Sequence, residues 1–345
     1  MKSLIAFLIA IILAVAGFVV YKSFVLDKKL ITKKTLTHVE LLDKNCKNGD
    51  MNACGELAFA YHTGANIEAN LSKAIEFYER ACLGGDSKSC FNLAMVYEAG
   101  DTKNNVAKNI SKALTYYKEV CDLGDDNATK SIACYKVGSA YEDGIESQKD
   151  EHKAFELYLK SCNLGAANAC EKIGNSYLNG TGAIQDLNAS AQYFERACEG
   201  GAIIACNNAG LMAQSGTGLP KNLLQAYSYF NISCNGGYGL ACNNLGVLLT
   251  NSSKEIANEL FIRSCNANIA SGCNNIGLIV QNAGEYKIAL EIYQKSCNLN
   301  NDLGCALQKN LTNALQNAIN EQVAQEQREQ QAQSEAKEKE KKSKK

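Results

Sequence analysis

The chain has one proline, three histidines and almost no net charge, and each shortage removes a class of reading. The single proline, Pro220, stands in a loop just before a helical stretch, where its fixed φ is tolerated, so no helix is interrupted. The histidines His38, His62 and His152 are scattered, and none stands near a cysteine in a ligand pattern. They are too few for a histidine-rich metal centre and fit exposed cap or loop positions. A formal net charge of -1 gives no global field toward nucleic acid or anionic lipid. There is no C-x-x-C, no Gly-rich phosphate loop and no dinucleotide fingerprint. The only S-x-x-K runs from Ser334 to Lys337, in a polar stretch that offers no pocket. No metal or cofactor is expected.

Cysteine is what the chain has in quantity. Its 16 cysteines form eight pairs. Seven pairs are eight positions apart: Cys46 with Cys54, Cys82 with Cys90, Cys162 with Cys170, Cys198 with Cys206, Cys234 with Cys242, Cys265 with Cys273 and Cys297 with Cys305. The eighth, Cys121 with Cys134, is the same unit with five extra residues. The pairs recur every 31 to 41 residues, a period that marks a solenoid of stacked repeats. Regular pairing of this kind is a disulfide framework in an exported chain, or metal and redox chemistry in a cytosolic one. The N-terminus favours export. After Lys2 an apolar run extends from Leu4 to Val20, at the short end of what spans a bilayer. It contains Ala14-Val15-Ala16, where a signal peptidase can cut, but stays apolar beyond it, which favours an uncleaved anchor. Either outcome, signal peptide or anchor within residues 1–24, places the rest in the periplasm or outside the cell.

The repeat itself is legible by register. Four residues before the first cysteine of the full repeats stands an aromatic: Tyr78, Tyr117, Tyr158, Phe194, Phe230, Phe261 and Tyr293. Eight before it stands a small residue, so small, aromatic and cysteine share one helical face. Three after it comes glycine, from Gly49 to Gly237, or Asn268 and Asn300, residues that tolerate the left-handed backbone of a helix stop. A second helix starts near the partner cysteine. It carries an apolar residue three positions on and a small residue at the fourth, as at Leu93 and Ala94, and ends at Gly64, Gly100, Gly144, Gly180 or Gly216. Each unit is thus a helix pair with its own staple across the turn.

This register, small-x3-aromatic-x3-Cys-x2-Gly followed by Cys-x2-Leu-Gly-x2-Tyr-x2-Gly, resembles the Sel1-like repeat, a relative of the tetratricopeptide repeat. Ala74 to Asp86 carries it clearly. The paired cysteines resemble the disulfide-rich Helicobacter cysteine-rich protein family. The resemblance implies an all-α fold, a right-handed α/α solenoid over residues 30–310 with each hairpin stapled by a disulfide. It also implies an alternative activity, binding or hydrolysis of β-lactams (a β-lactamase), for which the residues show no catalytic motif.

Leu307, Leu311, Leu315 and Ile319 continue a helical pattern that predicts a capping helix over 306–325. The charged 326–345 stretch reads as a flexible tail. Two positions after the second cysteine, Asn92, Asn208, Asn244 and Asn275 recur, with Glu56, Lys136 and Lys172 at the same place. On the concave side of a helix-pair solenoid these would line a groove and grip a peptide backbone; equally, they would bond to the neighbouring repeat. Three N-x-[ST] triplets with an acid two positions earlier, at Asn70, Asn127 and Asn188, resemble the acceptor of bacterial N-linked oligosaccharyltransferases. The same residues also serve helix caps and loops, and Asn127 is expected in the exposed inserted loop. The functional expectation is a non-enzymatic exported scaffold. It would bind a protein, a peptide or a cell-wall component along its concave face, be held to the inner membrane if residues 4–20 stay uncleaved, and have no nucleic-acid partner.

Overall fold

Short polar caps and regular apolar stripes break the chain into helices of nearly uniform length. A computed structural model describes residues 38–343; the apolar run 4–20 lies outside the described residues. Helix α1 covers 38–47. The first seven helices after it are α2 Met51–Thr63, α3 Leu71–Leu83, α4 Ser87–Ala99, α5 Ile110–Leu123, α6 Asn127–Asp143, α7 Glu151–Asn163 and α8 Ala167–Asn179. After the division between Gln185 and Asp186 that separates two units come α9 Leu187–Glu199, α10 Ile203–Ser215, α11 Leu223–Asn235 and α12 Gly239–Leu249. The second unit closes with α13 Lys254–Asn266, α14 Ala270–Asn282, α15 Tyr286–Asn298 and α16 Asp302–Ser343. No strand occurs among the described residues, and each unit is an α/α solenoid of antiparallel pairs.

All eight expected pairs are disulfides, with Cα atoms 4.5 to 4.7 Å apart, and no cysteine is free. In the first unit Cys46 is bonded to Cys54, Cys82 to Cys90, Cys121 to Cys134 and Cys162 to Cys170. In the second, Cys198 is bonded to Cys206, Cys234 to Cys242, Cys265 to Cys273 and Cys297 to Cys305. Each bond joins the last turn of an odd-numbered helix to the first turns of the even-numbered helix that follows. The expected left-handed stops are present, with φ of 95° at Gly49 and 60° at Asn268. Gly124 departs from them, at φ -56° and ψ 141°. The five extra residues explain it: they lie in helix rather than in a loop. One lengthens α5 to 14 residues, and four add a turn to the start of α6, which has 17 residues where its neighbours α4 and α8 have 13. Asp126 caps that added turn by accepting from Thr129 N. Four residues are close to one helical turn, so the α6 faces keep their register.

The buried aromatics of α7, α11, α13 and α15 each fill the space over a glycine of the preceding even-numbered helix. A Cβ built on Gly210 would meet the Phe230 ring at 2.6 Å, and one on Gly277 the Tyr293 ring at 2.5 Å. Phe230 and Tyr293 are both fully buried. Each such ring contributes roughly 1.5–3 kcal/mol relative to exposure. Beside it a serine hydroxyl ties successive pairs together: Ser161 donates to Ser131 O at 2.7 Å, and Ser233 to Ile203 O at 2.7 Å. Ser264 occupies the same place, buried and without a hydrogen-bond partner.

Helix α16 packs its Leu307, Leu311 and Leu315 against Tyr293 and Ala289. Beyond that contact it continues as one helix to Ser343, exposed over residues 325–334.

Candidate functional site

Positions spaced by three and four residues on an even-numbered helix share one face, and within each unit these faces carry two rows. The row two positions after the second cysteine is half-buried at Asn92, Asn208, Asn244 and Asn275. The row five positions after it is exposed and largely apolar: Phe59 and Met95 in the first unit, Leu211, Val247 and Leu278 in the second. Exposed apolar side chains repeated at one register of successive repeats, as at Leu211, Val247 and Leu278, mark an interaction surface rather than scattered surface residues.

The half-buried row joins neighbouring repeats. Asn244 Nδ2 donates to Asn207 Oδ1 at 2.8 Å, and Asn275 Nδ2 to Asn243 Oδ1 at 2.9 Å. Asn207, Asn243 and Asn274, each directly after its cysteine, are buried. Asn274 Nδ2 donates to Asn301 Oδ1, but Asn274 Oδ1 has no partner. The next residue of the ladder would be position 307, where leucine stands, and the ladder stops there. Asn208 only receives a long contact, 3.5 Å, from Asn207 Nδ2.

In the first unit the asparagine position is held by Glu56, Asn92, Lys136 and Lys172, and the two lysines pair with carboxylates of the preceding even-numbered helix. Glu98 accepts from Tyr117 Oη at 2.7 Å and from Lys136 Nζ at 2.6 Å. Glu142 repeats the arrangement with Tyr158 and with Lys172, the latter at 2.7 Å. Burial raises each carboxyl, but the hydrogen bonds from lysine and tyrosine together outweigh it and leave both below the ordinary carboxylate range. Burial and the adjacent carboxylate hold Tyr117 and Tyr158 well above the ordinary phenol range. One repeat earlier, His62 and Asn92 flank Tyr78, with His62 Nδ1 at 3.4 Å from its hydroxyl. Burial pushes Tyr78 up to about 12, against a hydrogen bond from Asn92 that lowers it. His38, Glu56, Phe59, Lys88 and Asn92 line a groove of about 650 Å³ at the start of this face.

The remaining sequence candidates are dispersed. Asn70 caps α3 through Lys73 N, Asn188 Oδ1 accepts from Gln192, and Asn127 opens α6; all three are exposed. Asn127 therefore stands in a first helical turn and not in the loop expected for it. Ser334 lies on the exposed part of α16 and donates to Gln331 O. His152 faces Glu156 at 3.8 Å on an exposed surface. Sulfurs of Cys82 and Cys90 and a Glu119 oxygen lie within 4.8 Å of one another, but both sulfurs are joined in a disulfide and are not thiolate ligands. Sequence reasoning picked out the second asparagine of each Cys-Asn-Asn and passed over its buried neighbour. It also passed over the Tyr–Glu–Lys sets, whose signal was the recurrence of Glu98 and Glu142 eight positions after their cysteines.

These features define a class, the disulfide-stapled α/α-solenoid scaffold, typical of repeat proteins that bind other proteins. Residues 52–86, 87–125, 131–165, 167–201, 203–238 and 273–301 match the Sel1 repeat, over more than half of the chain, and the protein belongs to that family. A protective antigen present in uropathogenic Escherichia coli strains is similar in fold, with TM-score 0.69 and 22% identity over 79% of this chain. The match covers 59% of that antigen, so the chain spans about three fifths of its length. A Sel1 repeat protein from Oxalobacter formigenes is similar at TM-score 0.61 and 18% identity, over 79% of each chain. Helicobacter pylori cysteine rich protein B shares 31% identity over 39% of this chain and 93% of that one, with TM-score 0.31. No curated protein matches the chain. Eight disulfides accord with an oxidising, extracellular or periplasmic setting. Among the described residues no helix is long and apolar enough to cross a membrane.

Proposed function

We propose that the protein is an exported scaffold that binds a protein, a peptide or a cell-wall component on the face of its even-numbered helices, the concave side in a superhelix of helix pairs. The exposed apolar row carries this reading: Met95, Leu211, Val247 and Leu278 are 39–50% exposed at one register, beside a row of amides. Soluble proteins rarely leave such rows uncovered without a partner. The 4–20 segment would hold the scaffold at the inner membrane, and export would present Asn70, Asn127 and Asn188 to an oligosaccharyltransferase. The intact mass of protein from its native host reports both processing and glycan.

The binding claim is tested by selecting peptides from a random library on the oxidised full-length chain and measuring their affinity for variants. Met95→Lys and Val247→Lys, on the even-numbered helices, should between them abolish binding, while Leu224→Lys and Ile256→Lys, on odd-numbered helices, should leave it unchanged. The reverse pattern would place the binding surface elsewhere.

A further inference from the structure

Three successive even-numbered helices of the second unit, α10, α12 and α14, carry no charge of their own: they contain no Asp, Glu, Lys, Arg or His along their whole length. Their counterparts α4, α6 and α8 in the first unit carry Lys88, Glu98, Lys136, Glu142 and Lys172. Charges on the helices of the second unit are found on its odd-numbered members, as at Arg196 and Arg263, and on the closing helix α16, as at Asp302 and Lys309. On the neutral face Leu211, Val247 and Leu278 are 41%, 50% and 39% exposed, and Asn208, Asn244 and Asn275 run beside them. A charged ligand segment laid here would lose hydration and find no counter-charge, so the face discriminates against it.

Spacing narrows the ligand further. The inter-repeat hydrogen bonds hold successive even-numbered helices in direct contact, and packed helices lie about 8–10 Å apart. A polyproline II strand presents every third side chain on one side, about 9.3 Å apart, and keeps its backbone amides and carbonyls free of internal hydrogen bonds. A β-strand repeats its face at about 6.8 Å, which falls out of step. An α-helix has a two-turn repeat of about 10.8 Å, but it bonds its own backbone and leaves nothing for the asparagine row. The Asn244 and Asn275 side chains are each fixed in one orientation by their bond to the preceding repeat, so their remaining hydrogen-bonding groups meet a ligand without rotamer loss. We propose that the second unit binds an uncharged peptide segment in polyproline II conformation, with an apolar side chain at every third position. Leu211, Val247 and Leu278 would seat these side chains, and the asparagine row would hold the backbone. This specifies the partner class of the binding face described above and rests on that reading.

Isothermal titration calorimetry on the oxidised full-length chain tests it, with blocked dodecapeptides of four Leu-Pro-Gln repeats as the probe. Comparators carry Glu or Lys in place of Gln, or the neutral composition with its leucines clustered. The neutral periodic peptide should bind at least about tenfold tighter than each comparator, with an affinity unchanged from about 50 mM to about 500 mM salt. The triple variant Leu211→Lys, Val247→Lys, Leu278→Lys should weaken it by at least about tenfold, and so should Val247→Lys alone should the triple variant lose its helical signal. Leu224→Lys, on the odd-numbered α11, should have no effect. No saturable binding, equal binding of the clustered peptide, or preference for a charged peptide overturns the inference. If charged peptides bind and Met95→Lys or Lys136→Ala weakens them, the neutral-strand inference falls while the scaffold reading stands. If only odd-helix substitutions weaken binding, the scaffold reading falls with it.

Discussion

Asn244 and Asn275 each reach across a repeat boundary to a buried amide, so what surrounds them decides what their loss costs. Asn244→Ala leaves the buried Asn207 Oδ1 without its donor, and Asn275→Ala does the same to Asn243 Oδ1. Each should destabilise by about 1–3 kcal/mol in chemical denaturation, whereas Asn208→Ala, which leaves no buried acceptor stranded, should cost less than about 1 kcal/mol. Equal costs at all three positions would contradict the strut geometry. From sequence these residues were visible as a ladder with two readings, grip or strut. Choosing between them required knowing which faces of helices more than 30 residues apart touch. The charged sets of the first unit have a pH signature. Glu98 and Glu142 have lowered pKa values in the folded chain, so the stability they add is present above the unfolded carboxylate value and is lost as pH falls through the folded one. Both side chains are more than a third exposed, so solvent screening limits each to less than about 1 kcal/mol. In thermal melts from about pH 6 to about pH 3, the double variant Glu98→Gln, Glu142→Gln should lie below the unmodified chain at neutral pH. The gap should close below about pH 4.5. A gap that persists at pH 3 would mean that the carboxylates act by packing.

At the scale of the helix pair, the staple is the stabilising device that sequence shows most directly. The cysteine spacing, the small residue eight positions upstream and the aromatic four upstream all lie within one repeat, so local register sufficed to read them. What local reading missed was the α5–α6 hairpin. Its five extra residues suggested a loop, yet Asp126, Thr129 and a helix-competent Asn-Ala-Thr-Lys stretch supply a cap and one further turn. The hairpins differ in loop length, eight residues of separation in most and 13 in the staple between Cys121 and Cys134. On the loop-entropy account, replacing Cys234 and Cys242 together by Ser should cost about 2.5 kcal/mol, measured by denaturant unfolding. The same change at Cys121 and Cys134 should cost about 3 kcal/mol. A much smaller loss at either pair would show that helix packing alone holds that hairpin.

For the whole molecule, stability is a sum of hairpins and the interfaces between neighbours, so disulfide connectivity is an architectural statement. Peptide mapping of unreduced protein should return only the eight within-hairpin pairs and no free thiol, and a pair linking different repeats would break the stacking order. The fold was legible in sequence because each repeat states it again, and the start of α16 because Leu307, Leu311 and Leu315 keep the period; the continuation of that helix to Ser343, through a stretch expected as a flexible tail, has no apolar period to announce it. The binding face was only partly legible. Its exposed row is apolar at Phe59, Met95, Leu211, Val247 and Leu278, but Ser139 and Asn175 stand at the same register, and nothing in a single repeat says which row meets solvent. That face is the central claim, and site-specific photocrosslinking in the native host tests it most directly. A photoreactive side chain at Val247, on α12, should give a discrete adduct that Leu211→Lys removes, while one at Leu224, on α11, should give none. Adducts at position 224 with none at 247 would contradict the account.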